Sequence, residues 1–231
     1  MQEYYSLLER CPLFNNVSPK DYAHILSCLD VSVKTYHADD YVVLTGNELN
    51  FIGIILEGSA EILKEDFAGN RHIIALLSPS HLFGEGIVCT RKRISPVSVR
   101  TRTTCKILHI PYIKILTSCH HACSFHTTMI YNMMLILGEK NVILNQKIDL
   151  VTLKGMREKL ATYLLSEANR AENQVFYINF NRNELAEYLH VSRPSMSREL
   201  CRMKEEGLID FHKNCFKIIN KEGLMQSISD S

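Results

Sequence analysis

Apolar and polar positions change rhythm along this chain. Between residues 31 and 111, short apolar runs rich in β-branched residues appear as Val42-Val43-Leu44, Phe51-Ile52-Gly53-Ile54-Ile55-Leu56, Ala60-Glu61-Ile62-Leu63 and His72-Ile73-Ile74-Ala75-Leu76. Thr45-Gly46-Asn47, Gly58-Ser59 and Ala68-Gly69-Asn70 separate them and read as turns. Val97-Ser98-Val99 and Lys106-Ile107-Leu108-His109-Ile110 add two strands. Many short strands at regular spacing predict a closed or rolled β-structure.

From about Tyr112 the period becomes helical. Ile130, Met134, Leu137, Asn141, Leu144, Ile148 and Val151 follow spacings of four and three, the pattern of a coiled-coil seam. Met129, Met133, Ile136 and Ile143 form a neighbouring stripe. One stripe can meet a twin helix while the other packs on the β-structure. A helix from about Ser118 to Ile148 would be roughly 45 Å long at ~1.5 Å per residue, and the seam reads as a homodimer interface. Burial inside a single chain is the alternative. Asn141 within the seam would favour one register at a cost in stability.

After Lys154-Gly155 an amphipathic helix carries Leu160, Ala161, Leu164, Leu165 and Ala168, and Val175-Phe176-Tyr177-Ile178 reads as a strand. The domains expected are 1–150, a β-structure with a long helix at about 112–150, and 151–231. A hinge near Asp149 to Gly155 would let the first half move the second as a lever.

Residues 181 to 207 read as two short helices joined by a tight turn, the geometry that sets a helix in the DNA major groove. Asn181 followed by Glu184 is a capping-box signature. Leu185, Ala186 and Leu189 form the first helix's inner face, and His190 sits in a turn that favours positive φ. Ser192 caps the second helix, with Pro194 in its first turn, where a missing N–H costs little. Met196, Leu200 and Met203 fall on one buried face, while Arg193, Pro194, Ser197, Arg198, Cys201 and Arg202 are placed outward. Arg198 suits a bidentate pair to guanine, and Ser192, Ser195 and Arg202 suit phosphate oxygens. Gly207 ends the helix. Leu208 to Phe211 and Cys215 to Ile219 form a hairpin across His212-Lys213-Asn214, a wing whose Lys213 can reach backbone phosphate. A winged helix used for protein contacts alone is the competing reading.

Composition adds limits. The 231 residues are 46% hydrophobic and 22% charged, ordinary globular material for one large or two ordinary domains. A formal net charge of +1 means that DNA binding must come from locally clustered cations. The start, Met1-Gln2-Glu3-Tyr4-Tyr5-Ser6, resembles no signal peptide, and Phe51 to Leu56 is too short to span a bilayer. Eight scattered cysteines suggest reduced thiols, so the expectation is a cytoplasmic protein away from the membrane. No nucleophile–base pair, nucleotide-hydrolysis loop or paired-carboxylate motif stands out, so no enzyme is expected.

Gly46, Gly58-Ser59, Phe83-Gly84-Glu85 and Arg193-Pro194-Ser195-Met196-Ser197-Arg198 make the chain resemble, over essentially its whole length, the Crp/Fnr family of bacterial transcription regulators. The resemblance implies an α+β fold: an N-terminal, jelly-roll-like cyclic-nucleotide-binding β-roll, a long dimerisation helix, and a C-terminal winged helix-turn-helix. It also implies a homodimer on a pseudo-palindromic double-stranded DNA site, RNA polymerase as a partner, and a small-molecule or redox effector.

Departures qualify that picture. Pro194 stands where the family commonly has Glu, and it cannot accept a hydrogen bond from cytosine. Gly84-Glu85 matches the start of the family's phosphate-binding cassette. Counting back from Val99-Arg100, the arginine–serine pair that holds the cyclic phosphate falls on Ser95-Pro96, with Arg93 close enough to substitute through a loop shift. The adenine-contacting pair on the long helix falls on Leu144-Asn145. A buried phosphate lacking its arginine is poorly compensated, which argues against cyclic AMP. Too few N-terminal cysteines, Cys11 and Cys28, are present for the family's iron–sulfur cluster. Cys119, Cys123 and His126 lie at i, i+4 and i+7, which suits soft-metal or haem ligation or a packing face of small residues. Cys89 reads as a core or redox-sensitive thiol. No cofactor is assigned. A constitutive DNA-binding dimer with a ligand-free β-roll as scaffold stays open beside the effector-gated regulator.

Overall fold

A computed structural model describes residues 1–65, 71–117 and 124–229. The chain divides into two compact units, Met1–Lys140 and Asn141–Ser231.

The first unit opens with α1 (Tyr5–Leu8) and α2 (Tyr22–Cys28) and continues into strands. These are β1 (Ser32–Tyr36), β2 (Tyr41–Val43), β3 (Phe51–Glu57), β4 (Ala60–Glu65), β5 (Arg71–Leu77), β6 (Leu82–Phe83), β7 (Ser98–Thr101) and β8 (Cys105–Pro111), with the short helix α3 (Glu85–Val88) after β6. They form two antiparallel four-stranded sheets, ordered β1-β8-β3-β6 and β2-β7-β4-β5. Strand β3 is buried on both faces from Ile52 to Leu56, which explains its unbroken apolar run. Gly53 is required there, because any Cβ would collide with the Phe83 ring. The expected turn at Ala68-Gly69-Asn70 lies outside the described residues.

Beyond β8 the expected single helix from about 112 is two. Helix α4 (Tyr112–Leu116) stops at Thr117, whose backbone is extended (φ −97°, ψ 126°). Both the Thr117 hydroxyl (2.8 Å) and its N–H (3.0 Å) donate back to the Ile113 carbonyl. A threonine hydroxyl that takes a helix carbonyl offers the backbone an alternative to continuing the helix. Helix α5 (Ser124–Thr152) then runs 29 residues and crosses the boundary between the units. Met129, Met133 and Ile136 join the core of the first unit. Buried Asn132 donates to the carbonyls of Leu13 (3.0 Å) and Asn15 (2.7 Å), tying the N-terminal segment to α5.

The second unit comprises the end of α5, α6 (Met156–Arg170), β9 (Val175–Tyr177), α7 (Arg182–Tyr188), α8 (Arg193–Glu205), β10 (Ile209–His212), β11 (Cys215–Ile218) and α9 (Lys221–Ser229). Its three-stranded sheet is ordered β10-β11-β9. Leu150 from α5, Leu160 and Leu164 from α6, Leu185 from α7 and Met196, Leu200 and Met203 from α8 share one core. Arg157 on α6 fixes α8 from behind. Its Nε donates to Glu199 (2.6 Å), and both terminal nitrogens donate to Glu206 (2.7 Å each).

Two tests follow from this packing. His109 is buried, stacked on Phe51 (3.9 Å between centroids), with its Nε2 3.2 Å from the Tyr36 hydroxyl. Burial, helped by Lys34, pushes its pKa down to about 4. The unfolded chain therefore takes up the proton first. The stability contribution is complete above pH ~6.5 and declines as pH falls toward the folded value, by up to ~1.4 kcal/mol per pH unit. Urea denaturation at pH 7 and pH 5 should show this slope, and His109→Phe should remove its share of it. Arg157→Met should destabilise the second unit by roughly 1–2 kcal/mol, the worth of charged hydrogen bonds that are partly screened. The hydrogen bond from Arg157 holds the Glu206 carboxyl below its usual range. This contribution is present at neutral pH and lost as the solution is acidified below about pH 4.3. Equal acid sensitivity of parent and variant in denaturant melts would refute the assignment.

Candidate nucleic-acid interface and effector site

Helix α7 starts as its sequence predicts. The Asn181 side chain accepts from the N–H groups of Asn183 (2.9 Å) and Glu184 (3.1 Å), and the Asn181 N–H donates to Glu184 Oε2 (2.7 Å). His190 adopts φ +51° in the turn. Ser192 caps α8 by accepting from the Ser195 N–H at 3.4 Å, past the Pro194 that has no N–H to give. Met196, Leu200 and Met203 are fully sealed from solvent. Arg193, Pro194, Arg198, Cys201 and Arg202 are exposed, and Ser195 and Ser197 half-buried.

Hydrogen bonds separate the arginines. Arg198 Nη2 donates to Ser195 Oγ (3.3 Å), which also accepts from the Ser192 hydroxyl (2.8 Å). Arg202 instead lies 3.6 Å from Glu199. Gly207 ends the helix in the left-handed region, φ +71°. The wing is the β10–β11 hairpin, with Lys213 at its tip, exposed and at φ +52°.

One cation in this unit escaped the sequence reading. Arg182 lies over the rings of Phe211 (5.0 Å) and Phe216 (4.9 Å). With Tyr177, Asn181, His212 and Lys213 it lines a cavity of about 590 Å³. Its Nη1 is buried without a hydrogen-bond partner, and burial lowers its pKa. The two phenylalanines come from strands some thirty residues downstream, so nothing local announced the stack.

In the first unit, Gly84 takes φ +90°, opening α3. Glu85 follows it, 4% exposed. One carboxylate oxygen pairs with the Lys140 ammonium on α5, and the other, Oε2, is buried with no partner. Lys140 was not singled out in the sequence, because its meeting with Glu85 spans 55 positions. Arg93 is committed elsewhere: it donates to Glu48 (2.5 and 3.1 Å) and to the Tyr112 hydroxyl (2.6 Å). Ser95 is buried and turns its hydroxyl to the Val97 carbonyl (2.6 Å). Glu85, Arg93 and Ser95 therefore all have internal partners. Leu144 (58%) and Asn145 are exposed, and Asn145 donates to Asn141 (2.7 Å).

Along α5 the seam residues Met134 (67%), Asn141, Leu144 and Ile148 are exposed, while Ile130 and Leu137 are half-buried against the first unit's core. Ile143, expected in the packed stripe, is 61% exposed, because that stripe's packing ends at Ile136. Cys119 and Cys123 lie outside the described residues. His126 is described, with its Nε2 3.5 Å from Cys28 Sγ. Among the described residues no three groups converge to hold a metal, and no helix is long and apolar enough to cross a membrane.

Comparison with known proteins agrees with this architecture. Residues 33–121 match the model of the cyclic nucleotide-binding domain, and residues 158–227 that of the Crp-like helix-turn-helix domain. The chain is 22% identical over 200 residues to the cyclic AMP receptor protein of Thermus thermophilus, covering 86% of this chain and 88% of that one. It is 24% identical over 187 residues to the transcriptional activator protein FnrL of Cereibacter sphaeroides, covering 76% and 71%. The crystal structure of the Thermus thermophilus catabolite activator protein shares the fold, with a TM-score of 0.55, 20% identity and coverage of 94% and 98%. With both modules in this order on one such fold, the chain belongs to the Crp/Fnr family of DNA-binding transcription regulators.

Proposed function

We propose that two copies of the chain pair along α5 and set their α8 helices in successive major-groove faces of one pseudo-palindromic DNA site. The bound dimer then recruits or blocks RNA polymerase in the cytoplasm. The observation that carries this reading is α8 itself. Its apolar face is sealed, its first turn is capped across Pro194, and Arg193 and Arg198 face solvent. Arg198 reads a guanine, and Ser192, Ser195, Ser197, Arg202 and Lys213 meet the backbone or groove edge. Pairing along α5 is supported by the exposed Met134, Val142, Ile143, Leu144 and Ile148.

The effector of the β-roll is a small molecule or redox signal other than cyclic AMP. Supporting this, Lys140 is held by Glu85, and Arg93 by Glu48 and Tyr112, so neither is free to meet a phosphate. The unpartnered Glu85 Oε2 suits a hydrogen-bond donor. The Lys140–Glu85 pair also favours a second reading, a constitutive dimer. It joins the cassette to α5 without any ligand.

Sites selected from random DNA should be pseudo-palindromic. Arg198→Ala should lose preference at one base of each half-site, worth ~1–3 kcal/mol per contact; full retention of specificity would remove Arg198 from the groove. Affinity should fall steeply with added salt, whereas a salt-independent complex would favour protein contacts alone. Native mass should report a dimer, converted to monomers by Met134→Glu with Leu144→Glu. A dimer that persists in this double variant would place the interface elsewhere.

A further inference from the structure

The three-stranded sheet of the second unit ends in a cavity with a positively charged lining. Tyr177 closes β9 and pairs with Cys215 at the start of β11, and the Ile178 N–H donates to the Asn214 carbonyl (3.0 Å). The β10–β11 turn with Lys213, and Arg182 at the start of α7, complete the walls of this space of about 590 Å³. That volume lies within the range of small-molecule sites. No described residue lining it is acidic. The Tyr177 ring, 77% exposed, leaves an aromatic face in water.

Arg182 sets the chemistry of the cavity. Arg157, Arg170 and Arg202 in the same unit each meet a carboxylate. Arg182 meets none among the described residues; it lies over Phe211 (5.0 Å) and Phe216 (4.9 Å) instead. One of its terminal nitrogens is buried without a hydrogen-bond partner, and burial lowers its pKa. Two aromatic rings offset part of the cost of desolvating a guanidinium. They supply no in-plane acceptor for its fork of N–H donors. Lys213 is a second, exposed cation on the same lining. A carboxylate matches the guanidinium fork with two parallel hydrogen bonds, and a ring attached to it can stack on Tyr177. A backbone phosphate brings the charge but no ring to occupy the space.

We propose that this cavity binds a small aromatic carboxylate, paired to Arg182 and stacked on Tyr177, and that its occupancy opposes DNA binding. The guanidinium holds the carboxylate at two points, and Lys213 adds charge from the wing. Asn181, His212 and Asn214 offer hydrogen-bonding groups to substituents on the ring. Lys213 is also the wing residue assigned above to DNA backbone phosphate. A bound carboxylate engages that ammonium and sets a negative charge where the phosphate would lie, so ligand and DNA compete. The binding site stands on the cavity alone; its opposition to DNA rests on the DNA-reading proposal above.

The probe is salicylate, titrated into the full-length chain. With no tryptophan in the sequence, its fluorescence is followed without indole emission. Salicylate should bind roughly tenfold or more tightly than salicyl alcohol, which keeps the ring without the charge, and than inorganic phosphate, which keeps the charge without the ring. Salicyl alcohol or phosphate binding as well as salicylate, a comparison that needs no variant to fold, overturns the proposal. Arg182→Met should weaken salicylate roughly tenfold. Tyr177→Ser, at a position exposed enough to spare the core, should weaken it about fivefold. Undiminished binding in either variant places the salicylate elsewhere and also overturns it. Saturating salicylate should lower DNA affinity roughly fivefold or more, and DNA should lower salicylate affinity by the same factor. A chain that binds no DNA removes the earlier reading, while the salicylate titration still reports on the cavity. DNA affinity indifferent to bound salicylate removes the competition.

Discussion

Helix α5 carries more apolar surface than one chain can cover, and much of the molecule's logic follows from that. Met129, Met133 and Ile136 enter the first unit's core, and Leu150 enters the second's. Between them Met134, Val142, Ile143, Leu144 and Ile148 stay in water. Full burial of such a side chain is worth about 1.5–3 kcal/mol, so a run of them on one helix is a strong incentive to pair. The exposed Asn141–Asn145 pair interrupts that run. In the pairing proposed above, where it would face its own copy across a two-fold axis, a polar break of this kind would fix register, because any slip would set amide against hydrocarbon.

The cassette is governed by the opposite problem, charge held out of water. A buried carboxylate needs partners, and Glu85 has satisfied half of that need with Lys140 from the same helix that bears the seam. Anything entering the cassette to engage Glu85 must either use its free oxygen or displace Lys140, and displacement touches α5 directly. Arg93 is a poor reserve for a phosphate. Releasing it would strip Glu48 of a two-point contact and the Tyr112 hydroxyl of its partner, at the junction of β8 and α4.

The fold was legible where periodicity and local chemistry agree. The packed stripe Met129, Met133 and Ile136 of α5, the capping box at Asn181 and Glu184, and the cap at Ser192 depend on neighbours within a turn or two. Strand β1 was not singled out, because its residues are mostly exposed and form no apolar run. The same holds for β6, only two residues long. The break at Thr117 depended on a single hydroxyl. At the sites, exposed arginines on a capped helix could be read directly. The partners of Glu85, Arg93, Arg182 and Cys28 could not, since each pairing is fixed by tertiary folding across tens of residues.

Charge placement in the second unit explains how a chain of net charge +1 can present a basic face. Four acidic groups near α8 are engaged: Glu199 and Glu206 turn to Arg157, Asp210 to Lys204, and Glu184 closes its own helix cap. Arg157 thus both anchors α8 and screens the arginines from two carboxylates that would otherwise compete with DNA for them. The screening is uneven. Glu199 keeps its second oxygen within 3.6 Å of Arg202, whereas Arg198 is bound only to a neutral serine hydroxyl. A phosphate must compete with a carboxylate for Arg202, but a guanine edge has to displace only a weak neutral contact from Arg198. Between Arg198 and Arg202, two of the three arginines on α8, Arg198 therefore has the less to lose, which supports the base contact proposed for it.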